Sequence, residues 1–237
     1  MADWIDYYDA APSVYVSPRH RDVHFQIVAD DIRRLIASHA DAGSSRSPVV
    51  IDFACGEALS AARVAEMCGT LILAEAAPSL RQRLAVRFAK VSNIKVLALD
   101  ELAQIADGTV DLVVMNSVLQ YMTAEQLQSA LVTARRLLSS QGQLVIGDVL
   151  QPDTGMLADV RALLKMAARH GFLMDAVTGL ARTALSDYSL LRKTLGLKRY
   201  SEHEMLAMLR AEGFSADRCA QNLGHNPSRM TFAATPA

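Results

Sequence analysis

Cysteine is scarce in this chain: Cys55, Cys68 and Cys219 are the 3 cysteines of 237 residues. An odd, widely spaced set builds no disulfide framework and reads as reduced thiols in a cytoplasmic setting. Charge of one sign is lacking too, since 24 Lys and Arg stand against 25 Asp and Glu for a net −1. That excludes the basic footprint of a nucleic-acid binder. No apolar run approaches the roughly 18 residues of a membrane helix. The acidic, aromatic start, Met1 to Asp9, is unlike a signal or transit peptide. Aromatics make up only 5% of the chain, yet Trp4, Tyr7, Tyr8, Tyr15 and Phe25 crowd its first 25 positions. No repeat or long low-complexity tract is present.

What the chain has is alternation. After a linker at 41–48, apolar runs at 49–53, 70–74, 94–99, 110–115 and 143–150 read as strands. Amphipathic stretches at 59–67, 79–89 and 124–138 read as helices between them, with a short helical turn after the third strand and Gly142 ending the third helix. Continuous β-branched and leucine runs separated by helices mean a mostly parallel sheet covered on both faces, an α/β doubly wound architecture. An N-terminal helix at about 20–39 precedes the linker. Residues 152–199 hold two or three helices and no strand, the first closed by Gly171 after His170. Ser201 and Glu204 make a capping box for a helix ending near Gly213. Two last strands, 214–221 and 229–235, form a terminal hairpin joined through Gly224 to Pro227, a connection that needs no function.

The first two strands each end in an acid, Asp52 and Glu75. Such ends meet at one crevice of a doubly wound sheet, where nucleotides bind. Ala54, Cys55, Gly56 and Ala58 form a small-residue turn that lets backbone N–H groups approach a ligand. Asp52 is placed to accept from an ammonium group or an ordered water, and Glu75 from the two hydroxyls of a ribose. Ala76 follows Glu75. Asp100, followed by Glu101 at the third strand's end, is placed for an adenine amino group. Asn116, Ser117, Gln120 and Tyr121 follow the fourth strand at the mouth of the sheet, facing cofactor or substrate.

Residues Ile51–Ala58 resemble the first motif of the class I S-adenosylmethionine-dependent methyltransferases, and Leu73–Glu75 their ribose-binding acid. Val110–Tyr121, Leu137–Ile146 and Tyr200–Phe214 resemble the family's fourth strand and loop, its fifth strand, and the helix before its terminal hairpin. The resemblance covers about 48–150 and 200–236. It implies a Rossmann-like seven-stranded sheet with an antiparallel C-terminal hairpin, S-adenosyl-L-methionine as cofactor, and methyl transfer by in-line displacement to a small-molecule acceptor, at O, N or C. It divides the chain into a helical arm or lid, 1–47, and a methyltransferase domain, 48–237, with a substrate-covering insertion at about 152–199. Two of the family's usual glycines are Ala54 and Ala58 here, so extra methyls enter a turn that must admit a ligand. The alternatives are a degenerate binding protein that kept the fold and, against the missing Gly-x-Gly-x-x-Gly, an NAD-linked oxidoreductase.

Methyl transfer from a sulfonium demands alignment more than acid or base groups, so no sharp catalytic signature is expected. His20 and His24, four residues apart, are the weak candidates for a base; with no third ligand they make no metal site. Tyr7, Tyr8, Tyr15 and Arg19 of the arm, Met156 of the insertion and His225 of the terminal loop are lid or substrate candidates. Eight Lys and Arg against four Asp in 152–199 hint at an anionic substrate. A protein or tRNA acceptor is disfavoured by the lack of basic surplus, and a monomer or a homodimer fits equally.

Overall fold

The computed structural model describes residues 4–9, 15–40, 46–184 and 197–237. Seven strands form one sheet: β1 (Val49–Phe53), β2 (Thr70–Ala74), β3 (Ile94–Leu97), β4 (Val110–Asn116), β5 (Leu138–Val149), β6 (Phe214–Arg218) and β7 (Met230–Pro236). Their order is β3-β2-β1-β4-β5-β7-β6. The first five run parallel, whereas β7 inserts antiparallel between β5 and β6.

The central strands are buried on both faces, as their apolar runs require. Ile51, Phe53, Val113, Met115 and Ile146 point to one side. There they meet α5 (Ala124–Leu137), α8 (Glu202–Ala211) and Trp4 of α1 (Trp4–Asp9). Val50, Leu71, Leu73, Val114 and Val145 point to the other. That side is covered by α2 (Pro18–Ala40), α3 (Ala61–Ala65) and α4 (Pro78–Phe88). Alternate residues of one strand thus serve two cores, the period-two geometry of a strand. A third, smaller cluster joins α6 (Met156–His170) and α7 (Leu173–Ala184) to Val23 of α2 through Met166, Ala167 and Phe172.

Local signals set several boundaries. Thr123 and Ser201 close reciprocal capping boxes with Gln126 and Glu204. Gly171 ends α6 at φ 77°. Three expectations shift. The strand β5 begins at Leu138, directly at the end of α5. It has an irregularity against β4 beside Gly142, where a Cβ would stand 2.8 Å from the Val110 carbonyl. The strand β6 stops at Arg218, so the link to β7 is a long polar connection rather than a tight hairpin loop. The expected short helical turn after β3 is present as a 3-10 helix, Asp100–Gln104, and β3 itself stops at Leu97 rather than at 99.

Candidate functional site

At the carboxyl end of β1 the chain turns through three left-handed residues, Ala54 (φ 54°), Gly56 (φ 60°) and Ala58 (φ 41°). The Gly56 N–H donates to Glu75 Oε2 at 2.7 Å, and the Ala77 N–H to Glu75 Oε1 at 2.9 Å. Glu75, only 2% exposed, therefore ties the β1 turn to the end of β2. Nothing lies within 4 Å of where a Gly56 Cβ would stand, so open space adjoins this turn. The methyls of Ala54 and Ala58 pack into the two cores rather than crowding the turn.

Asp52 faces the same space and makes no side-chain hydrogen bond among the described residues. Burial, then the neighbouring Glu75 charge, raises its carboxyl to about 7. Burial raises Glu75 as well, opposed by its backbone N–H donors. The Cys55 thiol beside them is pushed well up by burial and by both acids, and is held as an inert thiol.

The β4 tip supplies the opposite edge. Ser117 (φ 57°) and Asp148 (φ 58°), at the ends of β4 and β5, are both left-handed and joined by a 2.8 Å bond from Ser117 Oγ to Asp148 Oδ2. Left-handed non-glycine residues are costly and cluster at functional sites. Gln120 Nε2 donates to the Ser117 carbonyl at 2.7 Å, which leaves Gln120 Oε1 buried without a partner. Asn116 Oδ1 is likewise without one. Gly147 makes room for it, since a Cβ there would stand 2.7 Å from that oxygen.

The roof comes from α2 and the β6–β7 connection. His20 and His24 rise from α2 beside His225, with ring centroids 6.5 and 6.3 Å from it. Tyr15 lies against both α2 imidazoles. Burial lowers all three histidines, His20 to about 4 and His24 to about 3. His20 Nδ1 accepts the Val16 N–H at 3.2 Å. A neutral His20 therefore carries its proton on Nε2 and presents a donor, not a base. The connection is pinned at both ends. The Gly224 N–H donates to Asp31 of α2 at 2.6 Å, and Asn226 and Arg229 donate to Asp159 of α6 at 2.9 and 2.6 Å.

These elements line a half-open cavity of about 350 Å³. Of the expected residues it gathers Asp52, Ala54, Cys55, Gly56, Glu75, Asn116, Ser117, Gln120, Tyr121, Tyr15, His20, His24 and His225. Ala76, Asp100, Glu101, Arg19 and Met156 lie outside its wall. Asp100 and Glu101 are exposed and serve the 3-10 turn, Glu101 accepting the Ala98 N–H at 2.6 Å. Arg19 turns outward to the His170 carbonyl, and Met156 is 68% exposed. Tyr7 and Tyr8 lie on α1, but their side chains fall outside the described residues. Sequence reasoning passes over Asp148 and Asp159, which also line the cavity. Asp148 had a signal, an acid ending an apolar run like Asp52 and Glu75. Asp159, on a helix with no motif, had none. Among the described residues no helix is long and apolar enough to cross a membrane, and no cluster suits a metal ion.

Residues 51–146 match a family model described as a methyltransferase domain. No curated protein matches the chain. Among solved structures it is similar to the CurJ carbon methyltransferase, at 13% identity and TM-score 0.59, over 99% of this chain and 58% of that one. It is similar to PigF, solved with SAH, at 17% identity and TM-score 0.57, over 99% of this chain and 62% of that one. A Leishmania major SAM-dependent methyltransferase shares 11% identity at TM-score 0.60, over 98% and 80%. The chain thus spans about three fifths of the length of CurJ and PigF. At such identities the structures speak for the fold, and the domain match speaks for residues 51–146. Residues 51–146 thus resemble a methyltransferase domain, and the order β3-β2-β1-β4-β5-β7-β6 is the fold that frames it.

Proposed function

We propose that this protein transfers the methyl group of S-adenosylmethionine to a small-molecule acceptor held under the α2 and β6–β7 roof. The observation that carries the reading is Glu75: a buried carboxylate fixed by two backbone N–H groups at the second strand tip, facing a cavity it shares with Asp52. The chain's residues fit the cofactor. Glu75 retains lone pairs for two ribose hydroxyls, Asp52 is an unpartnered carboxylate suited to an ammonium, and the Gly56 turn leaves open space for a ligand. The cofactor supplies an electrophilic methyl and a neutral leaving thioether. The protein's part is to orient the acceptor and limit water, which the α2 and β6–β7 roof supports. A cavity of this size suits a small acceptor rather than a macromolecule, and three dispersed thiols suit a reducing, cytoplasmic setting.

Titration calorimetry with S-adenosylmethionine and S-adenosylhomocysteine tests the reading. Micromolar binding is expected for both, weakened at least about a hundredfold by Glu75→Ala, because two buried N–H groups and the ribose contacts lose their acceptor together. Absence of binding at millimolar cofactor refutes it.

A further inference from the structure

We infer that the acceptor is a neutral or cationic amine, received by the acceptor-rich wall of Asp148, Asp159 and Gln120, so that the methyl group goes to nitrogen. This deepens the proposed methyl transfer and rests on it.

Charge is the first argument. The described cavity wall carries four carboxylates, Asp52, Glu75, Asp148 and Asp159, against one guanidinium, Arg229. Arg229 is committed to Asp159 at 2.6 Å, and burial raises the Asp148 carboxyl against the opposing pull of the Arg229 charge. The three imidazoles add no positive charge at neutral pH, since burial holds them neutral. Asp52 and Glu75 belong to the cofactor half. S-adenosylmethionine, with two positive groups and one negative, offsets one negative charge. Among the described residues, the acceptor half under α6 and the β6–β7 connection remains negative or neutral. An anion there meets repulsion in a poorly solvated space, whereas an ammonium is attracted.

Hydrogen-bonding capacity is the second, independent argument. Gln120 is 7% exposed and lines the cavity; one N–H of its Nε2 goes to the Ser117 carbonyl, and its acceptor Oε1 has no partner. Asn116 Oδ1 is a second orphaned acceptor in the same wall. Against them stands one orphaned donor, Arg229 Nε. Buried polar atoms are ordinarily satisfied, and these two acceptors favour a partner that donates. Ser117 links the parts, holding Gln120 through its carbonyl and Asp148 through its hydroxyl. An amine supplies both the donors and the charge.

The basic surplus of residues 152–199 does not contradict this. Arg161, Lys165, Arg169 and Arg199 are exposed, and none lines the cavity. The side chains of Arg182, Arg192 and Lys193 lie outside the described residues, and the described wall favours a cation over the anionic substrate hinted at by that surplus. In the transfer, an ammonium acceptor first gives one proton to the Asp148 carboxylate. Its nitrogen lone pair then forms the N–C bond as the S–C bond breaks, the bonding pair leaving on the neutral thioether.

The test uses the full chain saturated with S-adenosylhomocysteine, titrated with matched probes: phenethylamine, 2-phenylethanol and phenylacetate, then propylamine, 1-propanol and propionate. The amine of at least one skeleton is expected to bind about tenfold or more tighter than its carboxylate. Asp148→Asn is expected to erase that preference while changing S-adenosylhomocysteine affinity less than about threefold. Carboxylates binding as well as amines, or no amine binding from either skeleton, overturns the inference. The unmodified protein decides this even if Asp148→Asn fails to fold. Failure of S-adenosylhomocysteine itself to bind is a separate result, which removes the methyl-transfer reading and this inference with it.

Discussion

Ala54 and Ala58 hold a left-handed backbone where the family's usual residue is glycine, and this defines what each methyl costs. An L-residue in that conformation is disfavoured by about 1–2 kcal/mol, while glycine forfeits about 0.5–1 kcal/mol of chain entropy on folding. Ala54→Gly or Ala58→Gly is therefore expected to stabilise the protein by about 0.5–1 kcal/mol in denaturant melts, less at Ala58, whose methyl is buried in the core. Asp52 carries the opposite kind of cost. Its carboxyl is raised to about 7 from an ordinary 3.8 by burial and by Glu75. The folded protein thus holds a proton that the unfolded chain releases, so this group's contribution is best below about pH 4 and is lost as pH rises through 7. Asp52→Asn should leave the melting temperature nearly unchanged at pH 4 and raise it by about 5 °C at pH 8, measured without ligand. The same variant should bind S-adenosylmethionine more weakly, since it removes the anion proposed to meet the ammonium. A gap between variant and parent that shrinks with rising pH would contradict the burial of this acid.

At the scale of elements, α2 and the β6–β7 connection make the roof, and the histidines between them report on its closure. The folded value of His24 is lowered to about 3, against 6.5 when unfolded. Its contribution is intact above pH 6.5 and declines as pH falls toward 3, because only the unfolded chain takes up the proton. Relative to the parent, His24→Gln should gain about 1–2 kcal/mol between pH 7 and pH 5 in paired urea melts. No pH dependence of that gap would mean His24 is not enclosed. This roof was the least legible part of the chain. The strand tips could be read because continuous apolar runs ending in acids carry one meaning, and Asp52, Glu75 and the β4 tip all came to one wall. The capping boxes at Thr123 and Ser201 were equally local. Asp159, by contrast, gains its place only when α6 packs beneath Asn226 and Arg229, some seventy residues away. Asp100 looked like another strand-end acid, yet three-residue turn geometry draws Glu101 back to the Ala98 N–H instead.

At the scale of the whole molecule, the question is whether residues 1–47 are an appendage. The linker sets them apart in sequence, but their side chains complete the cores of the sheet. Ile32, Ile36 and Ala29 of α2 pack with Val50, Leu112 and Val114, and Trp4 packs against the other face. Val23 joins α2 to α6 and α7. Full burial of one large apolar side chain contributes about 1.5–3 kcal/mol. Losing Trp4, Val23, Ile32 and Ile36 together therefore removes about 6–12 kcal/mol, comparable to the 5–15 kcal/mol that holds a typical domain folded. We infer that the arm is a structural layer as well as a roof, and that a chain of residues 48–237 alone will not melt cooperatively. Calorimetry and near-ultraviolet dichroism on that fragment test this. A cooperative transition within a few degrees of the full chain would show that the arm is dispensable to the fold and acts only as a cover. The expected result is a broad, weakly endothermic unfolding, because part of each face of the sheet would then meet water where Trp4 and α2 had been.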